Sequence, residues 1–205
     1  LIILDGWGYG THDNGDGIYI ADTPAWDALL RTYPNCRLRA SGEDVGLKGG
    51  KTGNSEAGHS NLGAGRVVAQ DDVRMDAAIR SGEFRTNPVF LHAIDGARKS
   101  GDLHLIAYLT EKSSHGCIDY PLMLTEMAEG VSHVYYHIIF DGRSTEPGSA
   151  PTLLRALEEK LRAIGRGVIV DGVGRGIALD RDGNYAKVKK AYDCMTVGSG
   201  TRYRG

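Results

Sequence analysis

The sequence is poor in the residues that mark several common protein classes. Its 205 residues include only three cysteines, two tryptophans and six prolines. The cysteines, Cys36, Cys117 and Cys194, are widely separated, odd in number and without metal-ligand spacing. We therefore expect reduced thiols and a cytoplasmic protein.

Long apolar runs and an excess of one charge are lacking too. No apolar stretch approaches the ~20 residues that cross a bilayer, and no basic segment with an apolar run precedes the first predicted strand. The 24 basic and 26 acidic residues give a formal net charge of −2. We therefore expect neither a membrane nor a nucleic acid as partner.

Strand-like and helix-like segments alternate along the chain. This order predicts an α/β fold with a mostly parallel sheet flanked by helices. Strands are predicted at residues 103–109, 134–140 and 167–171. Helices are predicted to begin at the Thr-Pro and Asn-Pro pairs of residues 23–24 and 87–88. An apolar stripe between Leu153 and Ile164 predicts a core helix that ends at Gly165.

The chain opens with the apolar run LIIL, followed by Asp5 and Gly6. Such a run is typical of a buried strand, which would place Asp5 at its carboxyl end. In open α/β sheets ligands bind outside those ends, so Asp5 is a candidate to bind a cation or to polarise a substrate. Alternatively, Asp5 and Gly6 simply form a turn.

Residues 53–59, GNSEAGH, place the hydroxyl of Ser55 between glycines. Glycines let backbone amides approach a phosphate, and a base or metal could activate the hydroxyl for covalent chemistry. Equally, Asn54 and Ser55 could cap a helix, with Glu56 complementing its dipole. The run alone does not decide between a nucleophile and a cap.

Together, LDG at residues 4–6, GNSEAGH at 53–59 and NLGAGR at 61–66 resemble the cofactor-independent (2,3-bisphosphoglycerate-independent) phosphoglycerate mutases of the alkaline phosphatase superfamily. The resemblance implies part of a phosphatase-like domain at residues 1–66 and part of an inserted α/β substrate domain at 67–205. It also implies two divalent ions, with manganese expected and magnesium as the alternative. Asp5 and Ser55 would ligate one of them.

The implied reaction is the glycolytic interconversion of 3-phosphoglycerate and 2-phosphoglycerate, with Ser55 as catalytic phosphoryl acceptor in a phosphoserine intermediate. The resemblance places His115, Arg143, Arg175 and Arg181 on this phosphorylated carboxylic acid, and arginine's planar fork suits such groups. Taken singly, each arginine could be a solvated surface charge and His115 a loop histidine.

The chain departs from the family pattern at two loops. Residues 110–114, TEKSS, replace a serine-aspartate-glycine-glycine run, and Ser144 replaces an aspartate that contacts substrate. Serine is not an acid or base near neutral pH without help. The family completes its metal site with Asp-His-Gly and Gly-His motifs, but no Asp-His-Gly run occurs here and the single Gly-His pair, Gly58-His59, belongs to the serine run. We therefore expect the missing ligands from a carboxyl-terminal segment or a complementary chain.

Three functions remain open. The first is a phosphoglycerate mutase, represented here by its amino-terminal portion. The second is a metal-dependent phosphohydrolase or phosphotransferase for another small phosphorylated substrate, which Ser144 and the changed 110–114 loop would permit. The third is a non-catalytic relative that binds a ligand or partner.

Overall fold

The structure is a computed structural model that describes residues 1–110 and 116–202. The chain divides into two compact units, Leu1–Val73 and Arg74–Gly205. The domain boundary expected after Arg66, and the assignment of residues 1–66 and 67–205 to two family domains, stay predictions. In the described part of the chain, no helix combines the length and the apolar character that a bilayer crossing needs.

The first unit consists of short helices joined by long loops. Its helices are α1 (Gly17–Ile20), α2 (Pro24–Thr32), a 3-10 helix (Gly42–Val45) and α3 (Ser55–Ala64). Helix α2 begins at Pro24 as its Thr-Pro signal predicts. The small buried cluster of this unit comprises Val45, Leu47 and Ala57.

The strand predicted at residues 1–4 is wrong in this structure. The run has no strand conformation, and Ile2 is 88% exposed. Instead, the amide of Trp7 donates to the Leu4 carbonyl at 3.0 Å, so Asp5 and Gly6 form a turn. A strand needs a neighbour for its backbone hydrogen bonds, and all three strands of the described chain lie in the second unit.

The second unit contains the sheet and most of the helices. Helix α4 (Asp71–Ser81) contains the boundary between the units, and the elements that follow are α5 (Glu83–Thr86), α6 (Pro88–Ser100), β1 (Asp102–Leu109), α7 (Asp119–Met127), β2 (His133–Phe140), α8 (Ala150–Ile164), β3 (Val168–Gly174), α9 (Arg175–Ala178) and α10 (Tyr185–Val197). Asn87 caps α6 by accepting from the amides of Val89 and Phe90.

The strands pair in the order β1-β2-β3, and both pairings are parallel. Helix α7 connects β1 to β2, and α8 connects β2 to β3. The predicted α/β class, with a parallel sheet flanked by helices, is therefore confirmed. In the register, Leu109 pairs with Phe140 and Phe140 with Gly174. The three strands thus end together at one edge of the sheet.

Strand β3 extends three residues beyond its predicted end at Asp171. The sequence there contains Gly172 and Gly174, which favour a turn. Pairing with β2 overrides that preference, because Gly172 and Gly174 lie in register with Ile138 and Phe140. As a result, Arg175 directly follows the strand.

One face of the sheet carries the main core. Its largest buried side chain is Tyr136, whose hydroxyl donates to the Pro121 carbonyl at 2.9 Å. Helix α8 packs here through Leu157 and Leu161, and ends at Gly165 with φ +80°, as its stripe predicts. The full buried cluster comprises Leu105, Ala107, Leu109, Leu122, Ala128, Val134, Tyr136, Ile138, Leu157 and Leu161.

We predict that Leu157→Ala lowers the free energy of unfolding by about 2–5 kcal/mol, because it leaves a cavity at a side chain that is only 2% exposed. Urea unfolding followed by circular dichroism measures the change. Leu91→Ala is the matched control, since Leu91 is also helical but 41% exposed. Equal losses in the two variants would contradict the assigned core.

Candidate functional site

Ser55 opens helix α3 next to the carboxylate of Asp5. Its Oγ donates a 2.6 Å hydrogen bond to Oδ2 of Asp5. The preceding Asn54 caps the helix by accepting from the Ala57 amide at 2.8 Å. His59 donates through Nδ1 to the Ser55 carbonyl oxygen at 2.7 Å. Because Asn54 provides the helix cap, the Ser55 hydroxyl can bind Asp5 instead. The run can therefore both cap a helix and present Ser55 as a nucleophile.

The loop before Ser55 depends on a glycine. A Cβ at Gly53 would collide with the backbone carbonyl oxygen of Ala40, so only glycine fits this close approach. Beyond it, the first amides of α3 point out of the helix start, where the helix dipole favours an anion. Ser55 is exposed at this start.

Asp5 and Ser55 supply donors of the type that a hard divalent ion prefers. Both are oxygen ligands, and their side-chain oxygens are held 2.6 Å apart. Among residues 1–110 and 116–202, no three His, Cys, Asp or Glu side chains gather where they could hold a metal ion. The pair therefore fits a divalent ion as part of a ligand set, which needs further donors to be complete.

A second group of polar side chains lies where the parallel strands end. Thr110, Asp141 and Arg175 follow β1, β2 and β3 directly, and Tyr108 is the penultimate residue of β1. We call these four residues the strand-end cluster. Oδ1 of Asp141 accepts from the Tyr108 hydroxyl at 2.6 Å and from Nη1 of Arg175 at 3.0 Å. Oδ2 accepts from the Thr110 hydroxyl at 2.7 Å and from the backbone amide of Ser144 at 3.1 Å.

The carboxylate of Asp141 is fully buried, with no side-chain exposure. Burial alone would raise its pKa, but the four hydrogen bonds, one of them from the Arg175 guanidinium, outweigh burial and lower the pKa to about 2. Asp141 is therefore an anion at neutral pH, compensated by the guanidinium of Arg175. The side chain of Arg175 keeps 23% of its surface exposed.

The predicted substrate residues do not all lie together in the structure. Arg175 lies in the strand-end cluster, and Ser144 joins it through its backbone amide. Arg143 and Arg181 are exposed, and no hydrogen bond between described residues links either to the cluster. His115 lies outside the described residues.

Tyr108, Thr110 and Asp141 were not predicted as site residues. For Asp141 a sequence signal exists, because it is an acidic residue directly after the strand predicted at residues 134–140, where α/β sheets bind ligands. Tyr108 has no such signal, since an aromatic residue inside a strand is more typical of a core.

Two histidines, His104 and His137, lie close together although no sequence pattern indicates it. Nδ1 of His104 lies 2.9 Å from Nε2 of His137, whose Nδ1 lies 2.7 Å from Oδ2 of Asp171. These residues are far apart in the sequence and come together only through β-strand pairing. No local sequence pattern could therefore predict the arrangement. These contacts form a hydrogen-bonded chain along the sheet.

Comparison with known proteins identifies the family. Residues 75–204 match the family model described as BPG-independent PGAM N-terminus (iPGM_N). That match covers more than half of the chain. The chain belongs to the BPG-independent phosphoglycerate mutase family. The resemblance stated from the sequence motifs is thereby confirmed.

Curated relatives in this family are similar along almost the whole chain. The 2,3-bisphosphoglycerate-independent phosphoglycerate mutase of Desulforudis audaxviator is 42% identical over 205 residues, which cover 98% of this chain and 40% of the relative. That of Parabacteroides distasonis is 41% identical over 203 residues, again with 98% and 40% covered. The chain thus spans about 40% of the length of the curated relatives it matches.

A solved structure supports the fold. Leishmania mexicana phosphoglycerate mutase, studied at low cobalt concentration, matches with a TM-score of 0.84 and 32% identity. The match covers 98% of this chain and 39% of the Leishmania chain. The fold of this chain is therefore similar to that of a phosphoglycerate mutase along 98% of its length.

The lowered pKa of Asp141 predicts an acid-sensitive second unit. A depressed carboxyl pKa stabilises the fold above the unfolded value near 4, and that stability is lost as the pH falls from about 4 to about 2. The contribution is on the order of 2 kcal/mol. Urea unfolding at pH 7, 4 and 2.5 should show a weaker pH dependence for Asp141→Asn than for the unsubstituted chain.

The control for this prediction is Asp95→Asn, which removes an exposed carboxylate that pairs with Arg98. It should retain the full acid dependence. An acid dependence in Asp141→Asn as steep as that of the unsubstituted chain would contradict the low pKa.

Proposed function

We propose that this chain provides the phosphoryl acceptor and the substrate-binding groups of a phosphoglycerate mutase that interconverts 3-phosphoglycerate and 2-phosphoglycerate. The observation that carries the proposal is the 2.6 Å hydrogen bond between Ser55 and Asp5 at the start of α3. It brings the two residues implied by the motif resemblance together across fifty positions. Family membership supports the same reaction.

In the proposed reaction, Oγ of Ser55 forms a bond to phosphorus as the phosphate ester bond of phosphoglycerate breaks. The products of this half-reaction are phosphoserine and glycerate, and the serine proton ends on the released hydroxyl. Return of the phosphoryl group to the neighbouring glycerate hydroxyl completes the isomerisation. Asp5 orients the Ser55 hydroxyl, and the amides at the start of α3 favour the transferring anion.

Asp5 and Ser55 are proposed as ligands of a divalent ion, one of two, with manganese expected and magnesium as the alternative. When bound, such an ion lowers the pKa of a hydroxyl and neutralises charge on phosphoryl oxygens. The remaining donors are expected from a carboxyl-terminal segment or a complementary chain, because this chain spans about 40% of its relatives.

Phosphoglycerate recognition is proposed for Arg175, Arg143, Arg181, Ser144 and His115. Support comes from Arg175, whose partly exposed guanidinium lies at the carboxyl ends of three parallel strands, where α/β sheets bind ligands. The exposed side chains of Arg143 and Arg181 are free to turn toward an anion. Three cations suit a substrate that carries a carboxylate and a phosphate.

A second function, a phosphohydrolase or phosphotransferase for another phosphorylated acid, is favoured by Ser144. Its hydroxyl stands where the resemblance expects a carboxylate able to take a proton. Without that group, the phosphoryl group on Ser55 could be released to water. A non-catalytic relative is less well supported, because Ser55 and Asp5, the two residues that the motif resemblance implies for catalysis, are hydrogen-bonded to each other.

The test incubates this chain, together with the carboxyl-terminal segment or complementary chain that supplies the remaining metal donors, with 3-phosphoglycerate and Mn²⁺. EDTA then removes the metal, and phosphorus NMR identifies the products. We expect 2-phosphoglycerate, and at least a ~10³-fold loss of its formation in Ser55→Ala, because the phosphoryl acceptor is removed. Ser60→Ala, an exposed serine of the same helix, should remain active. Free phosphate that depends on Ser55 would favour the hydrolase, and no turnover would contradict the proposed mutase.

The metal proposal has a separate test. Asp5→Asn should weaken Mn²⁺ binding at least about tenfold, because it replaces an anionic oxygen ligand by a neutral one. Electron paramagnetic resonance of free Mn²⁺ measures the affinity. Asp27→Asn, an exposed position on α2, should bind Mn²⁺ as the unsubstituted chain does. Equal affinity in all three proteins would remove Asp5 from the ligand set.

A further inference from the structure

Asp141 joins all three strand ends at one buried carboxylate. Its Oδ2 accepts from Thr110 at the end of β1, its Oδ1 accepts from Arg175 at the end of β3, and it follows β2 itself. Both oxygens are thus filled by protein donors. With no side-chain exposure, this carboxylate has no surface to offer to a substrate.

The guanidinium of Arg175 is held from one side only. Its Nη1 donates to the Tyr108 hydroxyl at 2.7 Å and to Asp141 at 3.0 Å. The Tyr108 hydroxyl in turn donates to the same Asp141 oxygen at 2.6 Å, which closes a triangle. Among described residues, no hydrogen bond uses Nη2 or Nε of Arg175, so these groups are left for a ligand.

We infer that Asp141, assisted by Tyr108, is a positioning residue that fixes the Arg175 guanidinium for a phosphorylated carboxylic acid. The inference rests on the proposed function, because it assumes that Arg175 binds this substrate. An arginine with a free side chain must be ordered when a ligand binds, whereas one already held by a carboxylate and a phenol is preorganised. Asp141 therefore acts through Arg175 and does not touch the substrate.

The charge of Asp141 makes the inference testable. A carboxylate near an anion site repels the anion, so its removal by Asp141→Asn should tighten binding if electrostatics alone decides. If positioning decides, the same substitution weakens binding, because Arg175 loses its anionic acceptor. The two mechanisms thus predict changes of opposite sign.

The experiment uses the full chain with isotopically labelled arginine and two measurements. NMR measures rotation of the Arg175 guanidinium without ligand, and calorimetry measures the Kd of 3-phosphoglycerate. We expect Asp141→Asn to speed the rotation and to raise the Kd about tenfold or more. Tyr108→Phe should cause a smaller change in both. Asp171→Asn, which removes the carboxylate paired with His137, is the matched control and should change neither.

A double-mutant cycle separates positioning from a general structural effect. Since Asp141 acts through Arg175, adding Asp141→Asn to Arg175→Ala should leave the Kd of the single Arg175→Ala variant unchanged. Additive losses, or unchanged guanidinium rotation in Asp141→Asn, would overturn the inference. If rotation speeds up as expected but the unsubstituted chain does not bind 3-phosphoglycerate, the proposed function fails, and with it the assignment of Asp141 to substrate recognition.

Discussion

Parallel pairing of the three strands is the constraint that creates the site in the second unit. Thr110, Asp141 and Arg175 are 31 and 34 residues apart along the chain, yet the register ends all three strands at one edge. At that edge the backbone leaves the sheet, and the buried side chains of Thr110 and Asp141 must find polar partners. The Asp141 carboxylate satisfies this need for all three segments at once.

The ion pair of Asp141 with Arg175 is better understood as a device for orientation than as a source of stability. Taking the Asp141 carboxylate out of water costs free energy that its attraction to Arg175 offsets in part, although breaking such a pair leaves a buried charge and is costly. The main effect of the pair is therefore to orient Arg175, since Tyr108 and Asp141 together hold one end of its planar guanidinium. The same low dielectric that penalises a lone charge keeps Asp141 ionised once four donors surround it.

The first unit brings Ser55 and Asp5 together without strand pairing. There, a helix cap, an Asp-Gly turn and a glycine pressed against the Ala40 carbonyl bring Ser55 to Asp5 without a sheet. The pair is exposed, and the buried cluster of this unit is small, with Val45, Leu47 and Ala57 as its members.

Local sequence signals predicted much of the fold. Features that depend on contacts between distant parts of the chain could not be predicted from them. The starts of α2 and α6, the end of α8 and the bulk of β1 and β2 follow from caps, prolines and apolar periods that act within a few residues. The strand predicted at residues 1–4 failed because strand formation requires a partner that no local pattern reveals. Likewise, the Ser55–Asp5 pair was foreseen only through a family motif, and Tyr108 could not be told from a core residue without the register.

In the proposed function, Ser144 would favour binding of the anionic substrate over proton transfer at the same position. A carboxylate there would add a second negative charge beside the loop that Asp141 holds, and so would repel a substrate with two anionic groups. The serine removes that repulsion while its backbone amide still donates to Asp141. It also removes a side chain that could exchange a proton near neutral pH. In the proposed reaction, the strand-end cluster is thus suited to holding the anion, and the proton for the second transfer must move through another group.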